Sequence, residues 1–537
     1  MIINKAKILF FSSSLYSLLL SISLFYTFKI NYLNSENHLK NYNFYILEKQ
    51  DISHIFQYFI PILSLIIISL LLLKRIEINN TNINFSINKI AAFVFISWLP
   101  FLLAFYPSVG MNDTYYILQS PLGLSNVHPF FYNYFIAIPS KISLKLFNSM
   151  TYGLFTSTVI QMIFMSYSIA YTITWLNDKL KNKYITYILI LYFAFTPIIA
   201  NYSIAAIKDT IFSVTLMLWI PFLYDTFVEN RSIFSNRFSK FYFCFLSFMT
   251  IAMRNNGKYI FVILFTLLLY KCLSERKKLV KYSLIIFTIC SLPNFYLSTF
   301  KNHPQLFQEA VAIPIQQLAR TTTLNGKLNQ EQNAYLNNLL SLEKIKKQYD
   351  PFSVDPIKWD TNFKREYLQQ TKSEFFKVWI IGLKNNQHIY LDAWILQTFA
   401  CWANKTQPWD NPQSTIWFVL SDEVLKSDKF LVSKISPSST ILPINIAKTM
   451  ENYMLKNSGF INPGNCFWII GYIALLLIAK NKYSTIITLA PIFLSWLSLM
   501  AAVPLSFAYR YAFMYPLCLP FLVFIPFIQN NKNGDNQ

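Results

Sequence analysis

Long apolar runs recur along this chain, and they constrain its fold more than any other feature. A helix needs about 20 mainly apolar residues to cross the hydrocarbon core of a bilayer. Hydrophobic residues make up 54% of the 537 residues and charged residues only 13%, which is about half the charged fraction of an ordinary soluble domain. The sequence therefore predicts an all-α polytopic membrane protein with about twelve transmembrane helices, at 8–28, 55–73, 90–107, 150–176, 184–203, 209–228, 241–253, 259–273, 281–300, 465–480, 483–503 and 508–528.

The net charge of +21 raises the question of a nucleic-acid partner. The basic residues are scattered between apolar runs and do not gather on one soluble face, so we expect no nucleic-acid binding. The six cysteines show no paired spacing, so the sequence indicates neither a zinc site nor a disulfide framework. Cys401 and Cys466 would be able to pair only in an oxidising compartment.

Lys and Arg in short loops favour the cytoplasmic side of a membrane, and this rule orients the predicted helices. The run 129–147, which contains Pro139, Lys141 and Lys145, decides the arrangement. If this run crosses the membrane, most of the later basic loops must be translocated. If it lies flat as an interfacial juxtamembrane helix, most of the basic loops sort to the inside. We therefore expect a flat helix here and both termini in the cytoplasm.

The stretch between about 301 and 464 differs from the rest, because it is rich in Asn, Gln, Lys and Asp and has no run long enough to span. It is long enough for a small domain with its own core, and amphipathic spacing predicts helices at 330–350 and 372–402. We expect an N-terminal transmembrane module (1–300) with a catalytic first-loop region (107–149), a mainly helical extracytoplasmic domain (301–464), and C-terminal transmembrane helices with a short cytoplasmic tail (465–537).

Asp113 and His128 are the candidate catalytic residues, because they follow closely on an apolar run and fall on the extracytoplasmic side. A carboxylate just outside the bilayer can accept a hydroxyl proton or bind a divalent cation. The alternative for Asp113 is an ordinary solvated acid in a loop. For His128, which precedes Pro129, the alternative is a residue that only shapes the entry to a helix.

Charged residues at the predicted membrane boundaries fall on the same side as Asp113. A single such residue often only extends its side chain so that the charged group reaches water. An acid at a helix start is stabilised by the helix dipole, without any further function. Several cations above one cavity would instead suit a lipid phosphate, which arginine binds bidentately. The candidate substrate-binding residues of this group are Lys208, Asp209, Arg254, Asn255 and Arg510.

The polar segment adds a second group of candidates at "AVAIPIQQLARTT" and "KNNQHIYLDAW". Amides and aromatic rings of this kind bind sugars, but the same residues also occur in ordinary amphipathic helices and helical cores. Both interpretations stay open at this stage. The candidate substrate-binding residues here are Gln316, Gln317, Arg320, His388 and Tyr390.

The order of these motifs resembles that of an uncharacterised bacterial family of polytopic membrane proteins. In that family an Asp loop is followed by His-Pro, Lys-Asp, Arg-Asn-Asn-Gly, Ile-Pro-x-Gln-Gln-x-Ala-Arg and a histidine-tyrosine segment. Here they read Asp113, His128-Pro129, Lys208-Asp209, 254–257, 313–320 and 388–390. The resemblance covers most of residues 100–400 and implies the bacterial cytoplasmic (inner) membrane.

That family in turn resembles the GT-C superfamily of integral-membrane glycosyltransferases. The likeness implies a sugar donor linked to polyprenyl phosphate or diphosphate, and a first extracytoplasmic loop whose acid, here Asp113, acts as base or metal ligand. Many GT-C members carry two acids in that loop, whereas this chain has Asn112-Asp113. A divalent cation such as Mg²⁺ or Mn²⁺ is therefore one cofactor to test.

From these features we expect a membrane glycosyltransferase with an extracytoplasmic active site. It would move a sugar from a polyprenyl-phosphate-type carrier in the membrane lipid to a glycan, lipid or protein acceptor of the cell envelope, with inversion. The alternatives are a flippase or transporter of lipid-linked glycans, a polysaccharide polymerase or ligase, and a membrane scaffold. Transporters commonly show inverted repeats and midplane charges, and neither is clear in this sequence.

Overall fold

A computed structural model describes residues 2–36, 38–40, 49–81, 83–110, 112–119, 128–300, 306–404, 441–457, 462–506 and 508–529. Within these residues the chain is helical and forms no strand, as predicted, apart from a few isolated bridges between extended residues. The first twelve helices, α1 to α12 in chain order, are Ile2–Ser35, Lys49–Lys74, Ile87–Ala104, Asn112–Gln119, Phe130–Phe147, Thr151–Leu180, Lys183–Phe195, Pro197–Ile204, Lys208–Phe227, Arg237–Met253, Gly257–Lys271 and Arg276–Phe300.

The remaining helices, α13 to α24, cover the polar segment and the C-terminal part of the chain. They are Phe307–Ala310, Ala312–Thr323, Gln330–Leu339, Leu342–Gln348, Asp355–Lys358, Arg365–Gln370, Lys372–Asn385, Gln387–Thr398, Ile444–Asn457, Pro463–Ala479, Ala490–Ala502 and Met514–Leu522. Short 3₁₀ helices lie at Leu273–Glu275, Phe399–Cys401, Tyr483–Leu489, Tyr509–Ala512 and Ile525–Phe527. The six cysteines are free thiols, so Cys401 and Cys466 are not joined.

Several of these helices are long and apolar enough to span a bilayer, so this is a multi-pass membrane protein. In the described residues eight helices meet that requirement. A ninth span results if α7 and α8, which meet at 56°, count as one broken helix. Pro197 explains this break, because proline lacks the N–H of the helical ladder and disfavours the helical conformation of the residue before it.

The predicted spans at 241–253, 259–273 and 465–480 lie in shorter helices. α10, α11 and α22 have 17, 15 and 17 residues, respectively. A helix of 15 residues is about 23 Å long, less than the roughly 30 Å of the hydrocarbon core. All twelve predicted spans are thus helical, while the count of twelve crossings stays a prediction.

Helix α9 is the centre of the transmembrane bundle, since nearly every side chain from Asp209 to Tyr224 is buried. It contacts α6, α10, α23, α24 and the 3₁₀ segment Tyr483–Leu489. Helix α5, which the sequence predicts to lie flat, buries Tyr132, Ile136 and Ser140 on one side. Its other side exposes an apolar stripe made of Ile138, Ile142 and Leu146, which suits contact with lipid, and its flat orientation stays a prediction.

The polar segment has a hydrophobic cluster of its own, built from side chains between Phe307 and Tyr390. We call the structure over 306–390 the outer domain, after its predicted extracytoplasmic location. The predicted helix at 330–350 is two helices, α15 and α16, because the side chain of Ser341 accepts the backbone N–H of Lys344 and starts the second one. The predicted helix at 372–402 likewise breaks at Asn386. Residues from Ile395 to Ala403 pack instead into the cluster of the transmembrane bundle.

Candidate substrate site at Asp113

One carboxylate oxygen of Asp113 binds two cations that come from distant parts of the chain. Asp113 Oδ2 lies 2.6 Å from Lys208 Nζ and 2.9 Å from Arg510 Nη1. Asp113 lies in the first turn of α4, Lys208 begins α9, and Arg510 lies in the 3₁₀ helix Tyr509–Ala512. The side chain of Asp113 is 21% exposed, so the group remains accessible from outside.

His128 completes this first part of the site. Its Nδ1 lies 3.0 Å from Lys208 Nζ and 3.9 Å from Asp113 Oδ2. Burial, and then the charge of Lys208, lower the pKa of His128 from its ordinary value of 6.5 to about 3. The imidazole is therefore neutral at physiological pH, and because an ammonium can only donate, Nδ1 is the acceptor. The ring of Tyr116 packs edge-on against His128.

The charge state of Asp113 results from two opposing effects. Burial by itself would raise the pKa of the carboxyl group, but the charges of Lys208 and Arg510 outweigh it and hold the pKa well below its usual range. Asp113 is therefore ionised. While it holds both cations it is a weak base, since a low pKa means a low affinity for a proton.

A second ion pair adjoins the first. Asp209, which is fully buried, lies 3.2 Å from Arg254 Nη1. The ring of Tyr511 connects the two pairs, because it lies 4.9 Å from the guanidinium carbon of Arg254 and 5.0 Å from that of Arg510. Its hydroxyl also accepts a hydrogen bond of 3.1 Å from Arg510 Nη2. We call these seven residues the charged cluster: Asp113, His128, Lys208, Asp209, Arg254, Arg510 and Tyr511.

Backbone contacts bring Asp113 to Lys208. Val109 pairs with the chain just before α9, since its N–H donates to Ile204 O at 3.1 Å and its carbonyl accepts from Ala206 N at 2.8 Å. Thr114 Oγ1 adds a bond of 2.7 Å to Ala206 O. The start of α4 is thus held against the start of α9. This brings Asp113 next to Lys208, although the two residues are far apart in the sequence.

A glycine turn presents Arg254 to the cluster. Helix α10 ends at Met253, and α11 begins at Gly257. A Cβ atom at Gly257 would lie 1.8 Å from the carbonyl oxygen of Thr250, which is far inside contact distance, so this turn requires glycine. Asn256 Nδ2 donates to Ser498 Oγ at 2.7 Å and ties the turn to α23. Asn255, a predicted site residue, is exposed on the same turn.

A small apolar groove, lined mostly by buried side chains, adjoins the cluster at Tyr511 and has room for about one water molecule. Trp496, Leu499, Val503 and Ala512 are among the side chains that line it. The charged cluster and the apolar groove therefore share one residue, Tyr511, which places apolar side chains directly beside the charges.

The predicted residues of the polar segment lie in or beside the core of the outer domain. Gln316 Nε2 donates to Asp350 O at 2.6 Å, and Gln317 Nε2 donates to Tyr390 O at 3.1 Å. Arg320 Nη2 lies 3.5 Å from Asp392 Oδ2, and both side chains are fully buried. His388 is half-buried in α20. No contact described for Gln316, Gln317, Arg320 or Tyr390 reaches the charged cluster.

Two tyrosines of the site were missed by sequence reasoning. Tyr511 directly follows Arg510, so an aromatic ring next to a boundary arginine was the available signal. Tyr132 is buried in α5, and burial, Asp209 and Asp113 raise the pKa of its hydroxyl well above its ordinary value. Nothing in the local sequence distinguishes Tyr132 from the other aromatic residues of α5.

The donor set of the cluster does not fit a divalent cation. A Mg²⁺ or Mn²⁺ site needs several oxygen ligands that are not already neutralised. Asp113 instead binds Lys208 and Arg510, and Asp209 binds Arg254. Among the residues that the structure describes, no three His, Cys, Asp or Glu side chains are grouped to hold a metal.

Residues 89–537 match the model of a family described as a family of unknown function, DUF6020. The match covers most of the chain and all of the charged cluster, so the chain belongs to this family. No curated protein and no solved structure matches it.

Proposed function

We propose that this DUF6020 protein is a membrane glycosyltransferase, and that the charged cluster binds the phosphate of a polyprenyl-phosphate-type sugar donor. The observation that carries the proposal is the convergence of Lys208, Arg254 and Arg510 beside an apolar groove. The proposal also includes a likeness to GT-C enzymes, a sugar as the transferred group and an acceptor in the cell envelope.

The charge balance of the cluster favours an anionic ligand. Three cations, Lys208, Arg254 and Arg510, face two carboxylates, Asp113 and Asp209, while His128 is neutral. One positive charge is thus left over in a site that is largely buried. Since buried charges are costly unless they are paired, a phosphate would compensate this excess, and guanidinium groups bind phosphate oxygens with good geometry.

The groove explains why the ligand would be a lipid and not free phosphate. A polyprenyl chain gains roughly 25 cal/mol for each Å² of apolar surface that leaves water. The groove lined by Trp496, Leu499 and Val503 begins at Tyr511, which also contacts both arginines. A carrier tail would enter this groove only if the lining side chains move apart, and its phosphate would then reach the cations.

The reaction follows from an exchange of partners at Asp113. An arriving phosphate competes with the carboxylate for Lys208 and Arg510, and as these cations turn to the phosphate, the pKa of Asp113 rises toward its ordinary range. Asp113 then accepts the proton of the acceptor hydroxyl. The acceptor oxygen attacks the anomeric carbon, the bond from that carbon to the phosphate oxygen breaks, and its electron pair leaves on the phosphate, which Arg254 and Arg510 stabilise.

The first test is a transfer assay with a radiolabelled polyprenyl-phosphate sugar and membrane acceptors, with wild-type protein and Asp113→Asn. We expect the variant to lose at least a hundredfold in transfer rate. Its affinity for farnesyl phosphate should be equal or higher, because the competing carboxylate charge is gone. Farnesol and inorganic phosphate are the controls, and each should bind more weakly than farnesyl phosphate.

Four results would contradict the proposal. Unchanged transfer by Asp113→Asn would remove Asp113 from the reaction. Equal affinity for farnesol and farnesyl phosphate would remove the phosphate from the cluster. Binding of the carrier by the wild-type protein without any transfer would favour the flippase, and label found only in long glycans would favour the polymerase or ligase.

A further inference from the structure

A short extended stretch just before Arg510 is paired with the outer domain. Val354 N donates to Pro504 O at 3.1 Å, and Ser506 N donates to Phe352 O at 2.9 Å. Ser353 and Leu505 form an antiparallel bridge between these two bonds. The outer domain is thus hydrogen-bonded to the backbone of the transmembrane bundle shortly before Arg510, the arginine that binds Asp113.

Helix α20 and the 3₁₀ helix Phe399–Cys401 that follows it hold the same stretch from another direction. Gln397, whose side chain is fully buried, donates from Nε2 to Val503 O at 2.7 Å. Ala400 N donates to Ser506 Oγ at 3.0 Å. The 503–506 stretch is therefore held by two backbone pairings and two side-chain bonds, which is far more than a connecting loop normally needs.

Gln316 fixes the paired segment inside the outer domain. Its Nε2 donates to Asp350 O at 2.6 Å and to Pro351 O at 3.2 Å, directly before the residues that pair with 504–506. The Gln316 side chain is fully buried. Loss of its amide would leave two carbonyl groups at that turn without this donor, and a buried polar group without a partner is costly.

We propose that the outer domain positions Arg510 in the charged cluster, and that Gln316 is a positioning residue that acts through the turn at 350–351 and the 352–354 pairing. The proposal rests on the proposed function only for the identity of the ligand that Arg510 binds. Gln316 contacts no substrate. It sets the backbone position from which the Arg510 guanidinium reaches Asp113 and Tyr511.

A double-mutant cycle tests this proposal in the full-length protein. The variants are Gln316→Ala, Arg510→Ala and both together, with thermal unfolding in detergent as the first measurement. If Gln316 positions Arg510, part of the stability lost in Gln316→Ala comes from a weaker pair between Arg510 and Asp113. This pair is absent when Arg510 is already alanine, so Gln316→Ala then costs less stability. A merely structural glutamine gives additive losses instead.

Gln332→Ala is the matched control. Gln332 is also buried in the outer domain and donates from Nε2 to a backbone carbonyl, Val378 O, at 2.9 Å, but none of its bonds leads to 503–506. Its loss should add to that of Arg510→Ala without coupling. Coupling of equal size for Gln332 and Gln316 would overturn the proposal.

Binding of farnesyl phosphate is the second measurement. We expect Gln316→Ala to weaken binding about fivefold, and to have no further effect in the Arg510→Ala background. Additive effects of Gln316→Ala and Arg510→Ala in both measurements would overturn the proposal. If the wild-type protein binds no farnesyl phosphate, the proposed function fails, while the unfolding cycle still decides whether Gln316 positions Arg510.

Discussion

The charged cluster depends on a few side chains whose roles are set by their neighbours. Asp113 Oδ2 accepts hydrogen bonds from both Lys208 and Arg510, so the carboxylate and the cations keep one another charged in a largely buried place. His128 stays neutral because it is buried next to Lys208. The pKa values of Asp113 and His128 are both lower than they would be in water, and this difference is accessible to measurement.

The pH dependence of stability should report on His128. Because its pKa in the folded protein is about 3, below the ordinary 6.5, the folded state disfavours its protonation. Its contribution is therefore fully present above about pH 6.5 and is lost as the pH falls toward 3, by roughly 1.4 kcal/mol per pH unit. We expect the melting temperature in detergent to fall between pH 7 and 5, and less so in His128→Gln.

His128→Gln is suited to this comparison because its amide oxygen still accepts a hydrogen bond from Lys208 but does not titrate. If both proteins lose the same stability between pH 7 and 5, His128 is not a buried neutral imidazole. In that case other groups cause the slope.

At the scale of helices, Arg320 and Asp392 connect α14 with α20. The pair is fully buried at 3.5 Å, and Arg320 Nη1 also donates to Tyr349 Oη at 3.1 Å and to Leu39 O at 3.3 Å. The sequence predicts that Arg320 binds substrate. Its position instead favours a structural role, as the centre of the contact between the outer domain and the chain after α1.

We expect Arg320→Met to destabilise the protein by about 3–5 kcal/mol, because Asp392 would be left as a buried charge without its cation. The double variant Arg320→Met, Asp392→Leu should recover most of this loss, since a buried ion pair can often be replaced by apolar side chains. Denaturant unfolding in detergent measures both. The double variant should bind farnesyl phosphate within about twofold of wild type. A normally stable double variant that no longer binds it would restore the predicted binding role.

At the scale of the whole molecule, the outer domain and the charged cluster lie at the same end of the bundle. The pairing of 352–354 with 504–506 places the domain next to Arg510, and Lys208 of the cluster begins α9. Helix α9 has 20 residues, about 30 Å, so the loop that follows it lies across the membrane from the cluster. The length of α9 thus places the charged cluster and this loop on opposite sides of the membrane. It does not say which of the two sides is the cytoplasm.

Labelling of single cysteines tests this arrangement. In a background without the six native cysteines, Ser232→Cys follows α9 and Asn338→Cys lies in the outer domain, both at exposed positions. We expect a membrane-impermeant maleimide to label Asn338→Cys in intact cells, and Ser232→Cys only after permeabilisation. Labelling of both from the outside would contradict the topology, and labelling of Ser232→Cys alone would reverse its orientation.

The sequence by itself determined the membrane class, the helical content and the candidates Asp113, His128, Lys208, Asp209, Arg254 and Arg510. It does so because hydropathy and charge position are local properties that one chain displays along its length. Only the tertiary structure decided which candidates meet. Val109 pairing with the chain before α9 brings Asp113 to Lys208, whereas Gln317 finds its partner inside the outer domain and Arg320 pairs with Asp392 just beyond it. Contacts between residues that are far apart in the sequence depend on how the helices pack, and no local pattern records that packing.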